Sequence, residues 1–155
     1  MKLSMTYSVK IKRLNHIFAD TVRLYRQAVS FFLDVCLQEW DTVSSGNGQK
    51  ERVNLVESFT VASKKNPSVP YDFGADFYKF PSYLRRAAIA EALGKVSSYR
   101  SNLARWEAAD PASRGEKPGL PQAGTVYPAM YRENMFIRTG TYQAALKVFI
   151  RNTWD

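Results

Sequence analysis

The most reactive side chains of this sequence are few, and they limit the chemistry that the chain can perform. It has one histidine, His16, and one cysteine, Cys36. A catalytic Ser-His-Asp or Cys-His set depends on such residues, and a zinc site of the usual composition needs four Cys or His ligands. One residue of each type excludes that zinc site. Cys36 also falls on the apolar stripe of a predicted helix, so we interpret it as a small core residue.

The 14 Asp and Glu residues are the other candidates for catalysis, because clustered acids hold Mg²⁺ in two-metal nucleases. Most of these acids fall on predicted helix surfaces or in loops, and none forms a recognisable pair at a strand end. Gly46-Asn47-Gly48 is not followed by the Gly-Lys-Ser/Thr of a phosphate-binding loop. We therefore predict that this chain is not itself an enzyme and has no catalytic residue, metal ligand or cofactor.

The basic residues form a more informative pattern. The chain carries 22 Lys and Arg, a net charge of +8 and a pI near 9.7. Residues 1–26 hold six cations and one acid, residues 79–106 hold the same numbers, and residues 27–78 are net negative. Clustered positive charge is typical of nucleic-acid-binding proteins, although a merely basic, soluble surface is the alternative.

Candidate nucleic-acid contacts come from both basic stretches. Arg86 and Arg100 lie about 40° apart on one flank of a predicted helix, since each residue turns it by about 100°. Ala90 and Ser97 lie beside them and leave room for a phosphate backbone, which the planar arginine fork binds well. Arg85 falls closer to the apolar stripe and alternatively braces the core. We predict that cationic side chains of the two long helices and the first strand converge into one phosphate-facing trough. The candidate nucleic-acid-binding residues are Lys10, Lys12, Arg13, Arg23, Arg26, Tyr83, Arg85, Arg86, Lys95, Ser97, Arg100 and Arg105.

Apolar periodicity predicts the elements that position these residues. Alternation over residues 5–12 indicates a half-buried strand with its lysines on the open face. Asn15 is a suitable N-cap for a long helix over 16–40, a segment without Gly or Pro. A shorter helix is expected over 49–62. A second long helix is expected from 81 or 82 to 106, and its interior Gly94 indicates a close approach or a bend.

The remaining segments are irregular or extended. Residues 63–80 contain five aromatics, which we interpret mainly as packing against the core and, less favoured, as stacking on bases. Residues 107–133 contain four prolines and three glycines and predict an extended connector. Residues 134–151 predict a strand, a turn at Gly140 and a second strand, with Leu146, Val148 and Ile150 on one face. We expect these strands to pair with strand 5–12 in one small sheet.

Four segments resemble the front half of TnpB (OrfB-type) proteins of bacterial insertion sequences. They are FPSYLRRAAIAEALGKVSSYRSNLARW at 80–106, KPGLP at 117–121, YPAMYRENMF at 127–136 and KVFIRNTWD at 147–155. The first 40 residues resemble the family only by pattern. TnpB proteins are RNA-guided nucleases and relatives of type V CRISPR effectors.

This resemblance implies an α+β fold, predominantly α, in which a helical recognition lobe is inserted between strands of a partial wedge β-barrel. The implied organisation is a first wedge strand at 1–14, the lobe at 15–106, the connector at 107–133 and returning strands at 134–155. The implied partners are guide RNA and target DNA. The family's nuclease domain, with its Mg²⁺, and its zinc ribbon lie downstream, so we expect this chain to be a binding module without them.

Two further expectations concern location and assembly. A single cysteine, no signal peptide and no apolar span predict a cytoplasmic protein, and the TnpB resemblance implies a bacterial one. The alternative function is a protein-interaction domain, because an incomplete barrel leaves a strand edge that a second copy can pair with in a homodimer. An unrelated enzyme using carboxylates alone is a third hypothesis. The nucleic-acid-binding hypothesis predicts that mutating Arg86 and Arg100 together weakens binding, and unchanged affinity at matched salt would count against this site.

Overall fold

The computed structural model describes residues 16–129, 135–141, 143–150 and 153–154, and their fold is α+β with helices predominating. The elements are α1 (Ile17–Gln38), α2 (Trp40–Ser44), α3 (Gln49–Thr60), α4 (Phe73–Asp76), α5 (Ser82–Ala108), β1 (Phe136–Gly140), β2 (Gln143–Leu146), β3 (Phe149–Ile150) and β4 (Thr153–Trp154). The predicted strand 5–12 and its basic residues lie outside the described residues, as does Asn15. None of the described helices is long and apolar enough to cross a membrane.

The two long helices, α1 and α5, pack against each other and form the core. The apolar stripes predicted for them are largely buried, because a spacing of three to four residues keeps side chains on one helix face. On α1 the buried stripe residues are Tyr25, Val29, Phe32 and Cys36; on α5 they are Leu84, Ala88, Ala92 and Val96. Cys36 is therefore a core residue, as predicted. Its burial raises the pKa of the thiol to about 12.

The helices α1 and α5 run in the same direction. Near their N-terminal ends, Phe149 contacts Thr21 of α1 and lies against the ring of Phe80, which immediately precedes α5. Near their C-terminal ends, Arg100 of α5 donates a hydrogen bond to the carbonyl oxygen of Leu37 of α1. A parallel helix pair needs a long return connection, and residues 39–81 supply it.

The third helix begins at a loop that requires glycine. Gly48, its N-cap, has φ +89°, a left-handed conformation that glycine adopts without a steric penalty. At Gly46 a Cβ atom would come within 3.0 Å of the Arg52 side chain. Arg52 donates hydrogen bonds to the carbonyl oxygens of Gly46 and Ser44, so it closes the turn between α2 and α3. The helix ends at Thr60, two residues before the predicted end.

The aromatics of the irregular segment pack mainly into the core, which confirms the favoured interpretation of this segment. Phe73 stacks on Phe32 of α1 and on Phe77, and it meets Phe80 edge to face. The segment also contains one helical turn that the sequence did not predict, α4, which the Asp72 carboxylate caps by accepting hydrogen bonds from two backbone N–H groups. Tyr78 is the exposed exception.

The C-terminal strands differ from the predicted pair. The segment predicted as one strand is divided, because Leu146 ends β2 and Phe149 begins β3. The predicted alternation of faces is wrong here, since Val148 and Phe149 are consecutive and both buried. The cause is a tertiary contact: Thr21 is buried on α1, its hydroxyl donates to the carbonyl oxygen of Phe149, and its oxygen accepts from the Phe149 N–H.

The described strands form two separate two-stranded antiparallel sheets, β1–β2 and β3–β4, and these strands do not close into a barrel. The β1–β2 hairpin has an irregular register between Arg138 and Gly140, next to its turn. The β3 strand packs on α1 and so connects the second sheet to the helical core. The single small sheet that was expected stays a prediction, because strand 5–12 lies outside the described residues.

Candidate nucleic-acid interface

The predicted basic residues that the structure describes have different structural neighbours, and the single trough stays a prediction. Arg85 and Arg86 lie between α3 and α5, Arg23 and Arg26 lie on an outer face of α1, and Arg100 lies at the end of α1. Each group is held by a different structural neighbour. The positions of Lys10, Lys12 and Arg13 lie outside the described residues.

The first group is an ion-pair cluster of Glu57, Arg85 and Arg86, called the Glu57 cluster below. Arg86 binds the carboxylate with two nitrogens, with Nη2 2.7 Å from Oε2 and Nε 3.1 Å from the same oxygen. Arg85 approaches Oε1 with Nη2 at 2.9 Å and Nε at 3.2 Å. The Arg85 and Glu57 side chains are only 19% and 15% exposed. Arg85 therefore braces the core, as its place near the apolar stripe indicated.

The two arginines determine the charge state of Glu57. Burial by itself raises the pKa of this carboxyl, since it disfavours the charged form. The hydrogen bonds and positive charges of Arg86 and Arg85 outweigh burial and hold the pKa below its ordinary value. Glu57 is therefore ionised near neutral pH, and it neutralises part of the charge that the sequence presented as available for phosphate.

The other candidates on α5 point in several directions. Arg105 donates to Asn102 and to the carbonyl oxygen of Ser101 on its own helix, and Lys95 pairs with Glu91 at 3.7 Å. At about 100° per residue, Lys95 faces nearly opposite to Arg86. Tyr83 packs partly buried against the core, and Ser97 is half-buried. A role of these residues in binding stays a prediction, but the fold does not bring them to one surface.

The small residues of α5 border the connector. Ala90, Gly94 and Ser98 line an open groove of about 650 Å³ whose other wall includes Pro118 and Pro121. A Cβ atom at Gly94 would meet nothing within 4 Å, so this glycine does not serve a close helix contact. The room that the sequence assigned to a phosphate backbone beside Ala90 therefore lies next to the returning chain.

A different groove combines two predicted arginines with an exposed aromatic ring. It has a volume of about 530 Å³, and its lining is mostly apolar. The lining residues are Phe18, Ala19, Val22, Arg23, Arg26, Gln27 and Ser30 of α1 and Tyr127 of the connector. It is called the Tyr127 groove below. Phe18 and Val22 continue the apolar stripe predicted for α1 but are only half-buried, so the N-terminal part of this stripe lines the groove.

Arg26 and Tyr127 fix each other in this groove. Nε of Arg26 donates a 3.0 Å hydrogen bond to the carbonyl oxygen of Val126, and its guanidinium lies 5.1 Å from the centre of the Tyr127 ring. Val126 packs against the core, and Pro128 restricts the backbone of the residue before it. Tyr127 as a residue is nevertheless 70% exposed. A cation over one face of an exposed, anchored ring is a suitable platform for a planar ligand.

Arg23 supplies the more accessible charge of the groove. Its side chain is 59% exposed, and its contact with Asp20 is a 3.5 Å pair one turn away on the same helix. Exposed ion pairs of this kind contribute about 0–1 kcal/mol, so a phosphate can replace Asp20 as the partner of Arg23 at little cost.

Sequence reasoning identified both arginines but missed Tyr127 as a site residue. It considered aromatics as possible base-stacking groups only in the segment 63–80, where most of them are part of the core. A signal was present in the connector, where Tyr127 precedes a proline in a chain segment too polar to form its own core. An aromatic residue in such a segment either docks elsewhere or stays exposed.

The described residues offer no set of three His, Cys, Asp or Glu side chains placed to hold a metal ion. Glu57 is also unsuited to bind one, because two guanidinium groups already occupy its oxygens.

Comparison with known proteins places the chain in a family. Residues 5–150 match the Aq_aa04 family. The chain is also similar to the protein aq_aa04 of Aquifex aeolicus (strain VF5), with 30% identity over 125 residues that cover 71% of this chain and 68% of that protein. No solved structure matches it significantly. Since the family match spans almost the whole chain, the chain belongs to the Aq_aa04 family.

Proposed function

We propose that this protein binds nucleic acid and that the Tyr127 groove is its main described contact surface. The observation that carries the proposal is the grouping of Arg23, Arg26 and the exposed ring of Tyr127 around one apolar groove. Arginine and aromatic side chains together bind two features that every nucleotide offers, a phosphate group and the flat face of a base.

The charge of the chain supports this proposal over catalysis. A net charge of +8 attracts polyanions and accelerates their association. Binding rather than chemistry is the proposed role, since the described surface concentrates cations and an aromatic ring instead of paired acids or nucleophiles. The wider proposal follows the TnpB resemblance of residues 80–155, in which such a module holds guide RNA and target DNA for an RNA-guided nuclease. Its location would then be the bacterial cytoplasm.

The proposal is tested by measuring how binding depends on salt. The purified chain is titrated against fluorescently labelled RNA and DNA oligonucleotides, single-stranded and duplex, between 50 and 300 mM salt. We expect affinity to fall linearly with log salt concentration, because phosphate contacts release bound counterions. The double variant R23Q/R26Q should bind about tenfold more weakly at low salt, because it loses the proposed phosphate contact of Arg23 and the positive charge that Arg26 places beside Tyr127.

The matched control is K64Q/K65Q, which removes the same two charges from an exposed loop. It should retain wild-type affinity at each salt concentration, apart from a small loss through net charge. Circular dichroism verifies that both double variants are folded. Binding that is absent at 50 mM salt, or equally weakened in both double variants, would refute the proposal.

A second candidate function is assembly through the β1–β2 hairpin. All residues of β1 are exposed, including the large apolar side chains Phe136 and Ile137. Among the described strands, β1 and β2 pair only with each other, and strand edges of this kind can be extended by other chains. Light scattering during size-exclusion chromatography distinguishes this candidate, since a tight dimer whose mass and stability do not respond to RNA would favour assembly over nucleic-acid binding.

A further inference from the structure

We infer that the Tyr127 groove binds an unpaired nucleotide of a single strand, with the base on the Tyr127 ring and the adjacent phosphate on Arg23. This inference rests on the proposed function and specifies the class of nucleic acid that the site accepts. It is carried by the geometry of the Arg26–Tyr127 pair and by the apolar lining beside it.

The ring of Tyr127 has one free face. Arg26 covers the other face with its guanidinium 5.1 Å from the ring centre. Tyr127 as a whole residue is 70% exposed, so we expect the base on the ring face away from Arg26. An added base would complete a three-layer stack of guanidinium, phenol and base. The positive layer beneath the ring also favours an electron-rich ligand group above it.

The platform is already in its binding conformation. The hydrogen bond from Arg26 to Val126 holds the guanidinium, and the packing of Val126 on the core holds the connector. Pro128 narrows the backbone conformations open to Tyr127. A preorganised ring loses little conformational entropy on binding, so more of the stacking energy contributes to affinity.

The rest of the groove suits the other parts of a nucleotide. Phe18, Ala19 and Val22 offer apolar area for the second face or edge of a base, and Gln27 and Ser30 offer hydrogen-bonding groups at the rim. Arg23 lies one turn before Arg26, and neighbours at this spacing have Cβ atoms about 5–6 Å apart. A phosphate on Arg23 is therefore within one nucleotide of a base stacked on Tyr127.

The geometry favours unpaired over paired nucleic acid. In a duplex each base is stacked between its neighbours, so no base face is available to a side-chain ring. A single strand, loop or bulge can turn a base outward and stack it on an aromatic side chain. A purely electrostatic surface would accept both forms, whereas the free face of Tyr127 gives an advantage only to the unpaired form.

The experiment uses the full chain and compares two exposed tyrosines that each have a cation over the ring. Tyr127 and Tyr78 are both exposed, and each has a cation over its ring, Arg26 in one case and Lys79 in the other. Tyr127→Leu, Tyr127→Phe and the control Tyr78→Leu are titrated with a ten-nucleotide RNA, the corresponding DNA and a duplex of the same sequence. A ten-nucleotide strand with abasic sites provides a measurement on the unaltered protein.

We expect wild type to prefer the single strands and Tyr127→Leu to weaken their binding by about tenfold, within the range for loss of one stacked base. Tyr127→Phe and Tyr78→Leu should bind the single strands as tightly as wild type does. The affinity for the duplex should be the same for all variants. The abasic strand should bind wild type as weakly as the intact strand binds Tyr127→Leu. RNA and DNA should respond alike, since both present a base face and a phosphate.

Two results overturn the inference in different ways. Duplex affinity equal to single-strand affinity, or an abasic strand that binds wild type as tightly as the intact strand, refutes the unpaired nucleotide and leaves salt-dependent nucleic-acid binding in place. Absence of binding to every oligonucleotide refutes the proposed function as well. If Tyr127→Leu does not fold, the abasic strand on the wild-type protein decides the question alone.

Discussion

Two pairs of arginines were both predicted from the sequence to bind nucleic acid, but the structure gives them different neighbours. Arg85 and Arg86 of α5 converge on Glu57, whose carboxylate accepts hydrogen bonds from both guanidinium groups. Arg23 and Arg26 of α1 line the Tyr127 groove, where Arg23 makes a 3.5 Å pair with Asp20 on its own helix. The first pair joins two helices, and the second pair faces a surface that a ligand can enter.

The difference shows why a local count of positive charge is an incomplete guide to a binding site. The basic stretch 79–106 has a single acid in its own sequence, but its main acidic partner comes from α3. An arginine that neutralises a largely buried carboxylate contributes less to the electric field outside the protein, and removal of the carboxylate leaves its charge uncompensated. The stretch around α1 has no comparable partner among its described contacts. The comparison predicts distinct consequences for mutations in the two places.

The largest effect is expected at the Glu57 cluster. Glu57→Ala leaves the guanidinium of Arg85, which is 19% exposed, beside a second positive charge without its carboxylate. We expect the free energy of unfolding to fall by about 3 kcal/mol, at the lower end of the range for breaking a buried ion pair. Urea denaturation monitored by circular dichroism measures this change.

The matched control is Glu116→Ala, which removes an exposed carboxylate from the connector and should change stability by less than about 0.5 kcal/mol. Labelling of Cys36 offers a second readout. Because the thiol is buried and its pKa is raised to about 12, it should react only after opening of the core, and faster in Glu57→Ala. Equal stability of the two variants would show that the cluster is a surface feature.

A smaller effect is expected when the pH is lowered and the contribution of Glu57 to the free energy of unfolding is lost. The folded-state pKa of Glu57 is below its ordinary value of 4.5, so the unfolded chain binds a proton first as the pH falls. The contribution of this carboxylate is complete above pH 4.5 and is lost as the pH falls through the lowered folded-state pKa. The stability difference between wild type and Glu57→Gln should therefore be constant from pH 7 to about pH 5 and shrink below it.

Urea denaturation of both proteins at pH 7, 5, 4 and 3 measures this difference. The Tyr127 groove provides the contrast, because Tyr127→Leu should shift the curve equally at every pH. A wild-type advantage that grows towards pH 3 would contradict the ion-pair interpretation of Glu57.

The helices were largely predictable from the sequence because their causes are local. The three-to-four spacing of Tyr25, Val29 and Phe32 identifies the buried face of α1 whatever its partner. The same holds for α5, where the predicted and observed bounds agree within two residues. Pro and Gly content likewise identified the extended connector. Each of these features depends on residues within a turn or a few residues of one another.

The strands and the site depended on contacts between distant residues. Phe149 leaves the expected alternation because Thr21, 128 residues earlier, holds both of its backbone polar groups. Arg86 is paired because α3 places Glu57 beside it, and Tyr127 reaches α1 because Arg26 binds the preceding carbonyl. The periodicity of the sequence identified Phe149 and Arg86 as residues of interest. It contains no information on their pairing with Thr21 and Glu57.

The smallest effect is also the most direct comparison of the two arginine pairs. Arg23→Gln removes one proposed phosphate contact, so the slope of log affinity against log salt should become shallower by about 0.7 to 1 for a labelled single strand. Arg86→Gln removes the same formal charge from a side chain that is 50% exposed but bound to Glu57. Its slope should equal that of wild type, although its stability should be lower. Fluorescence anisotropy titrations at four or more salt concentrations measure both slopes, on samples whose thermal melts show complete folding.

A loss of slope in Arg86→Gln equal to that in Arg23→Gln would mean that phosphate competes successfully with Glu57, because only a counterion-releasing contact changes the slope. The α5 flank with Arg86 and Arg100 would then belong to the binding surface, and the separation of the two pairs into structural and binding roles would be wrong.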